Sequence, residues 1–375
     1  MTTPSLGAGE LPPLPGGGSP FIATSRPGIL SGDVILGLLA RASGLFILLM
    51  LAALLIVLFY AARQSMSQFG WRFLTTSEWR PNELVVPRHD ANGNVVYDSD
   101  GDVVEDTIPP TFGALPVIWG TAVSSFLALL FAIPLSLGSA IFLVRIAPTR
   151  IVPVVSFLIE FLAAIPSIAY GLWGLFVLAP FMQNHFDPLV HRALSRLPGT
   201  GWLFTEQLKI GNHVITRPIA LTGRDMLDGS LVLAIMILPI ITAISRDVLR
   251  QVPGAQVEGT VALGATWWES CKEMLKFSRS GLFGAVMLGL ARAAGETMAI
   301  TMVIGNNSQI RASLFAPAQT MSSLLANEFS EASSDLHRSA LCEVALILLL
   351  MSLVFNIVAR QLVVGGKDSR GARAA

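Results

Sequence analysis

Six apolar runs, near residues 34–62, 114–144, 154–181, 228–245, 282–304 and 340–364, constrain this chain more than any other feature. A bilayer core of about 30 Å needs about 20 consecutive apolar residues in a helix. Lipid offers no partner to an unpaired backbone amide, so runs of this length predict membrane-spanning helices. Composition agrees. The chain is 53% hydrophobic and 13% charged, against about 25% charged in soluble domains. Its formal net charge is +0, and the absence of a basic stripe argues against nucleic acid as a partner. The expected class is all-α, a polytopic membrane protein with six transmembrane helices.

One run is chemically unusual. Residues 285–304 read AVMLGLARAAGETMAITMVI and carry Arg292 and Glu296 near their middle. At roughly 1.5 Å per residue, Arg292 sits about 15 Å into the membrane. A charge there costs at least roughly 2.5–3.5 kcal/mol unless it faces protein or a water-filled path. On a continuous helix, Arg292 and Glu296 are four apart and share a face, with Gly289, Ala293 and Gly295 allowing close approach. A guanidinium is a fixed fork of donors suited to an oxyanion, and a neighbouring glutamate opposes a second negative charge until it swings aside. This reads as a substrate pathway. A salt bridge tying helices together is the plainer alternative.

The remaining segments divide simply. Residues 1–33 are rich in Pro, Gly and Ser and are expected to be a disordered cytosolic tail. Residues 34–62 are too long for a signal-peptide core and form a retained first helix. An even number of spans puts both termini on one side. Arg145, Arg150, Arg246, Arg360 and Lys367 at span ends favour the cytosol. The outer loop 63–113 contains Val-Val pairs flanking Asn92-Gly93 and Asp100-Gly101, which predict a β-hairpin. A calcium loop on Asp98, Asp100 and Asp102 would need glycine at its sixth position, and Gly101 stands at the fourth. The second outer loop, 182–227, is amphipathic and without evident chemistry. Residues 114–364 are the core domain and 365–375 a second cytosolic tail. Glu160 and Arg41, close to the cytosolic ends of their spans, are expected to snorkel. Cys271 and Cys342 are far apart and imply neither disulfide nor metal site, and the five histidines lie outside the apolar runs.

The inner loop 246–281 is patterned. Pro253 suits the first turn of a helix. Residues 254–263 form a short helix with Val257 and Val261 on one face, ended by Gly264 in a left-handed conformation. Thr266 and Glu269 form a capping box that starts a second helix through about Lys276. The result is a compact hairpin whose small-sided first helix suits insertion into a protein groove.

Three blocks resemble the permeases of ABC importers. Pro253, Glu258, Ala262, Leu263, Gly264, Ala265 and Thr266 are similar to their EAA loop. Glu160–Pro180 (EFLAAIPSIAYGLWGLFVLAP) and Arg292–Gly305 (RAAGETMAITMVIG) resemble phosphate-importer permeases of the C type. The likeness covers roughly residues 34–62 and 114–364. Two departures stand out: Glu258-Gly259-Thr260 replaces Glu-Ala-Ala, and Lys276-Phe277 replaces a closing Leu-Pro. The resemblance implies the type I importer permease fold, an ATPase docked on Glu258, Ala262, Leu263, Gly264 and Ala265, and transport roles for Arg292 and Glu296. It also implies a second related permease, an ATPase dimer that binds ATP and Mg, an external phosphate-binding protein and a bacterial plasma membrane. The chain itself is expected to need no cofactor, since Gly365-Gly366-Lys367-Asp368 is not a phosphate-binding loop. An ion-gradient-driven anion transporter is the alternative. It has no use for a docking hairpin.

Overall fold

The computed structural model describes residues 32–88, 95–97, 103–194, 200–210 and 213–371. The tail 1–31 and the turns at Asn92-Gly93 and Asp100-Gly101, with the calcium reading, lie outside the described residues. The chain divides into two compact units, residues 1–55 and 56–375. The first is the leading part of helix α1 (Gly32–Phe69). Its leucines are open, Leu36 at 68% and Leu48 at 64%, as a lipid-facing helix requires.

Four helices are long and apolar enough to cross a membrane among the described residues: α1, α2 (Leu115–Ile146), α5 (Met226–Arg250) and α11 (Asp335–Gly371). A further pair of helices is apolar and long enough only when taken together, and it is bent. α3 (Val152–Ala164) and α4 (Ser167–Leu194) meet at 89°. Pro166 causes the bend, because it cannot donate to the carbonyl four residues back and forces Ile165 out of helical geometry. Pro134, in contrast, stays inside α2.

The sixth expected span, 282–304, is not one helix. It is α8 (Arg279–Ala294) followed by α9 (Met298–Val303), broken at Gly295–Thr297. Gly295 ends α8. The Glu296 carboxylate then accepts the Ala299 N–H at 3.3 Å, offering the backbone an alternative to continuing the helix. Neither piece alone spans about 30 Å.

The core lies between α2, α5, α8 and α9, around Ile237, Ile241, Val232, Ile300 and Ile304. Close approach fixes where the chain may have no side chain. A Cβ at Gly120 would collide with the Gln319 carbonyl, and one at Gly171 with Ala299. After α9 the chain folds back, Ala318 N–H donating to the Ile304 carbonyl at 2.9 Å. It then enters α10 (Met321–Glu328) through a Thr320–Ser323 capping box.

Residues 63–113 carry a two-stranded pairing that encloses the expected turns. β1 (Leu84–Pro87) pairs antiparallel with β2 (Glu105–Ile108), and Tyr97 bridges to Val103. Its base is fastened to the core. Trp79 Nε1 donates to Glu328 Oε2 at 2.8 Å, the same oxygen contacts His337 Nε2 at 2.9 Å, and the His337 ring stacks on Phe112 at 5.4 Å. The loop 182–227 also carries a hairpin, β3 (Thr205–Ile210) with β4 (His213–Pro218).

Candidate functional site

The break between α8 and α9 changes the relation expected of Arg292 and Glu296. They do not lie on one helix face. Arg292, in the last turn of α8, is exposed on the chain, whereas Glu296 is 6% exposed. No ion pair or hydrogen bond joins them among the described residues. Glu296 is held from both ends: its carboxylate receives the Ala299 N–H, and its carbonyl accepts the Ser322 hydroxyl at 2.6 Å. The Glu296 side chain therefore shapes the break, and no hydrogen bond or ion pair engages the Arg292 guanidinium among the described residues. Gly289 does allow close approach, with Ile241 packed against its bare backbone.

The hairpin of residues 246–281 forms as its sequence dictates. α6 (Gly254–Ala262) and α7 (Trp267–Phe277) flank Gly264, whose φ of 83° is the left-handed conformation that only glycine adopts without cost. Pro253 stands just before α6, one position earlier than expected. The Thr266 backbone N–H donates to Glu269 Oε2 at 2.7 Å, and Glu269 N–H returns to Thr266 Oγ1 at 3.3 Å. The Thr266 backbone N–H, and after it the Thr266 hydroxyl that donates to the same Oε2 at 2.8 Å, hold the Glu269 carboxyl below its usual range. The departure Gly259-Thr260 has a structural use: Thr260 Oγ1 reaches Ser270 Oγ at 3.2 Å and ties α6 to α7. Val261 is 55% exposed and does not share the half-buried position of Val257. Of the residues expected to dock an ATPase, Glu258, Ala262, Leu263 and Gly264 are exposed and Ala265 is half-buried. Leu263 is 90% exposed. A cleft of about 320 Å³ opens between the helices, lined by Val257, Leu263, Met274 and Phe277.

Replacing Thr266 with alanine removes the cap and should cost about 1 kcal/mol locally. Amide exchange in the first turn of α7 should then quicken about fivefold, with exchange elsewhere unchanged. The folded Glu269 pKa is depressed, so the box contributes above the unfolded value and is lost as pH falls through the folded one. Exchange at the Glu269 amide should rise in acid in the native chain and show no such rise in Thr266→Ala.

Two polar groupings escaped the sequence reading. Near the C-terminal end of α5, the 8%-exposed Arg246 side chain bonds Asp247 Oδ1 at 2.9 Å and Glu160 Oε1, on α3, at 3.2 Å. Glu160 thus has a partner and does not simply snorkel. At the other end of α5, Asp187, Asp225 and Asp228 are 0–1% exposed. The loop expected to hold no chemistry, 182–227, therefore buries two carboxyl groups, Asp187 and Asp225. Among the described residues, no three His, Cys, Asp or Glu side chains are arranged to hold a metal. Asp225 Oδ1 accepts the Asp228 N–H at 3.0 Å and caps α5. An aspartate just before an apolar run was the available signal.

Burial pushes the Asp225 carboxyl up to about 7, against the Asp228 N–H and with repulsion from Asp187. The folded state then keeps a proton that the unfolded chain releases near pH 4. Stability should fall as pH rises from about 4 to 7, by roughly 4 kcal/mol at most. Asp225→Asn keeps the cap and removes the charge. Its unfolding temperature in detergent should fall less steeply over that window than that of the native chain. Equal slopes in native chain and variant would refute the assignment.

Comparison with known proteins follows this geometry. A family model described as "Binding-protein-dependent transport system inner membrane component" matches residues 132–364. The phosphate transport system permease protein PstC of Mesorhizobium japonicum is 39% identical, over 88% of this chain and 89% of its own. That of Pasteurella multocida is 38% identical, over 88% and 91%. PstC 1 of Mycobacterium tuberculosis is 36% identical, over 78% and 82%.

Proposed function

The chain belongs to the family of inner membrane components of binding-protein-dependent transport systems, and from that premise we propose that it is the C-type permease of an ATP-driven phosphate importer. It is a multi-pass membrane subunit of a complex that also contains ATPase and binding-protein partners. In finer detail, it pairs with a second, related permease to enclose the path. Both termini face the cytosol, and two ATPase copies bind ATP and Mg there. The external binding protein delivers phosphate from the other side.

The observation that carries this reading is the α6–α7 hairpin. A rigid, doubly capped element with Leu263 at 90% exposure has no intramolecular reason to present that side chain to water, and suits a groove in a partner. Glu258, Ala262, Leu263, Gly264 and Ala265 form that docking surface. ATP closes the ATPase pair, the docked hairpin moves with it, and the path turns from inward to outward. Arg292, a cation beside a broken helix, meets the oxyanion in transit. Glu296 shapes the break that brings the guanidinium to the path. A secondary transporter would need no such hairpin.

The test is uptake of labelled phosphate by proteoliposomes holding the full complex. Uptake should require internal ATP and external binding protein and should resist excess sulfate. Uptake driven by a proton gradient with ATP depleted would refute the proposal.

A further inference from the structure

We infer that Arg246 is a positioning residue that makes the bent α3–α4 span follow the inner hairpin. The inference rests on the importer reading above and assigns that importer a route for motion. α5 ends at Arg250 and α6 begins at Gly254. Displacement of the hairpin therefore reaches the C-terminal end of α5, as it reaches α8 through Ser278. Arg246 lies about one turn before that end, and its side chain is 8% exposed. A buried guanidinium is costly unless its charge is matched. Here two carboxylates match it, and only one of them, Glu160, belongs to another helix. Asp247 is its neighbour on α5 and cannot link helices. While Arg246 remains buried, the Glu160 contact holds α3 to α5.

The route continues through direct contacts between the helices. The Tyr170 hydroxyl of α4 donates to the Leu162 carbonyl of α3 at 2.8 Å, across the Pro166 bend. Gly171 of α4 then packs directly on Ala299 of α9. Ala299 is the residue whose N–H the Glu296 carboxylate holds. Hairpin, α5, α3, α4 and the helix break beside Arg292 thus form one unbroken sequence of touching groups. α5 also packs on α9 directly, through Gly229 against Ile300 and Ile304. The question for experiment is whether the route through α3 carries coupling, since spatial continuity alone does not establish it.

The test compares Arg246→Gln, Glu160→Gln, the double variant and Asp247→Asn in the assembled complex in proteoliposomes. It reads phosphate moved per ATP hydrolysed. A merely structural role lowers the number of working complexes and leaves that ratio unchanged. We expect Arg246→Gln and Glu160→Gln each to lower the ratio about fivefold or more. The double variant should be no worse than Arg246→Gln alone, and Asp247→Asn should match the native ratio. Glu160 is 58% exposed, so its variant tests the link even where Arg246→Gln fails to fold. Native ratios in both single variants, additive losses in the double variant, or an equal loss in Asp247→Asn would each overturn the inference. Failure of the importer reading looks different: the unaltered complex would take up phosphate without consuming ATP.

Discussion

Arg292→Gln should bring phosphate uptake to background while the complex still assembles and keeps its ATPase. The expectation follows from what Arg292 does not do. It makes no ion pair with Glu296, and it is exposed on the chain, so the fold loses no partner when its charge is removed. In the membrane a neutral glutamine carries no charge that must be matched or kept from lipid. Assembly should therefore be retained. An oxyanion crossing a low-dielectric path without a countercharge faces a barrier of several kcal/mol, and each 1.4 kcal/mol is tenfold in rate. Loss of uptake by a hundredfold or more is the expected reading. Arg292→Lys should recover part of it, since the charge returns without the planar fork. Glu296→Gln makes an informative companion, because the amide oxygen can still accept the Ala299 N–H and preserve the break. Near-native uptake by Arg292→Gln would remove the residue from the pathway.

Leu263→Glu should release the ATPase without harming the chain. Leu263 is 90% exposed, so a charged side chain there displaces nothing and leaves the unfolding temperature unchanged. In a docked hairpin the same position is buried against the partner. A leucine lost from such a contact removes about 2 kcal/mol, and a carboxylate forced into an apolar groove costs more. Co-purification with the ATPase should fall at least thirtyfold, and phosphate-dependent ATP hydrolysis with it. Gly264→Val reaches the same end by another path. At φ 83° a β-branched residue is strained by about 1–3 kcal/mol, so the hairpin itself should be distorted, which exchange at the Ala265 amide would report. Full retention of the ATPase by Leu263→Glu would place docking elsewhere.

The inner hairpin was legible because its signals are local. Thr266 and Glu269 are three residues apart and satisfy each other, and Gly264 needs no distant contact to be left-handed. Helices α1, α2, α5 and α11 were legible because an apolar run of sufficient length has few alternatives in lipid. The break in 282–304 was not. Average apolarity over that run says helix, and the competing bonds come from the Glu296 side chain and from Ser322, 26 residues away. Arg292 and Glu296 were singled out correctly as charges in an apolar run. Their relation was misjudged because spacing predicts a shared face only while the helix continues.

The sequence by itself determined the membrane class, the hairpin and the residues that carry charge where charge is expensive, since burial cost and capping act over a few residues. Tertiary structure alone decided which of those charges are matched. Arg246 meets Glu160 across 86 residues, Trp79 and His337 converge on Glu328, and Asp187 is buried with Asp225 and Asp228. Such pairings depend on which helix ends the packed core brings together, and no local pattern in the chain encodes that distance.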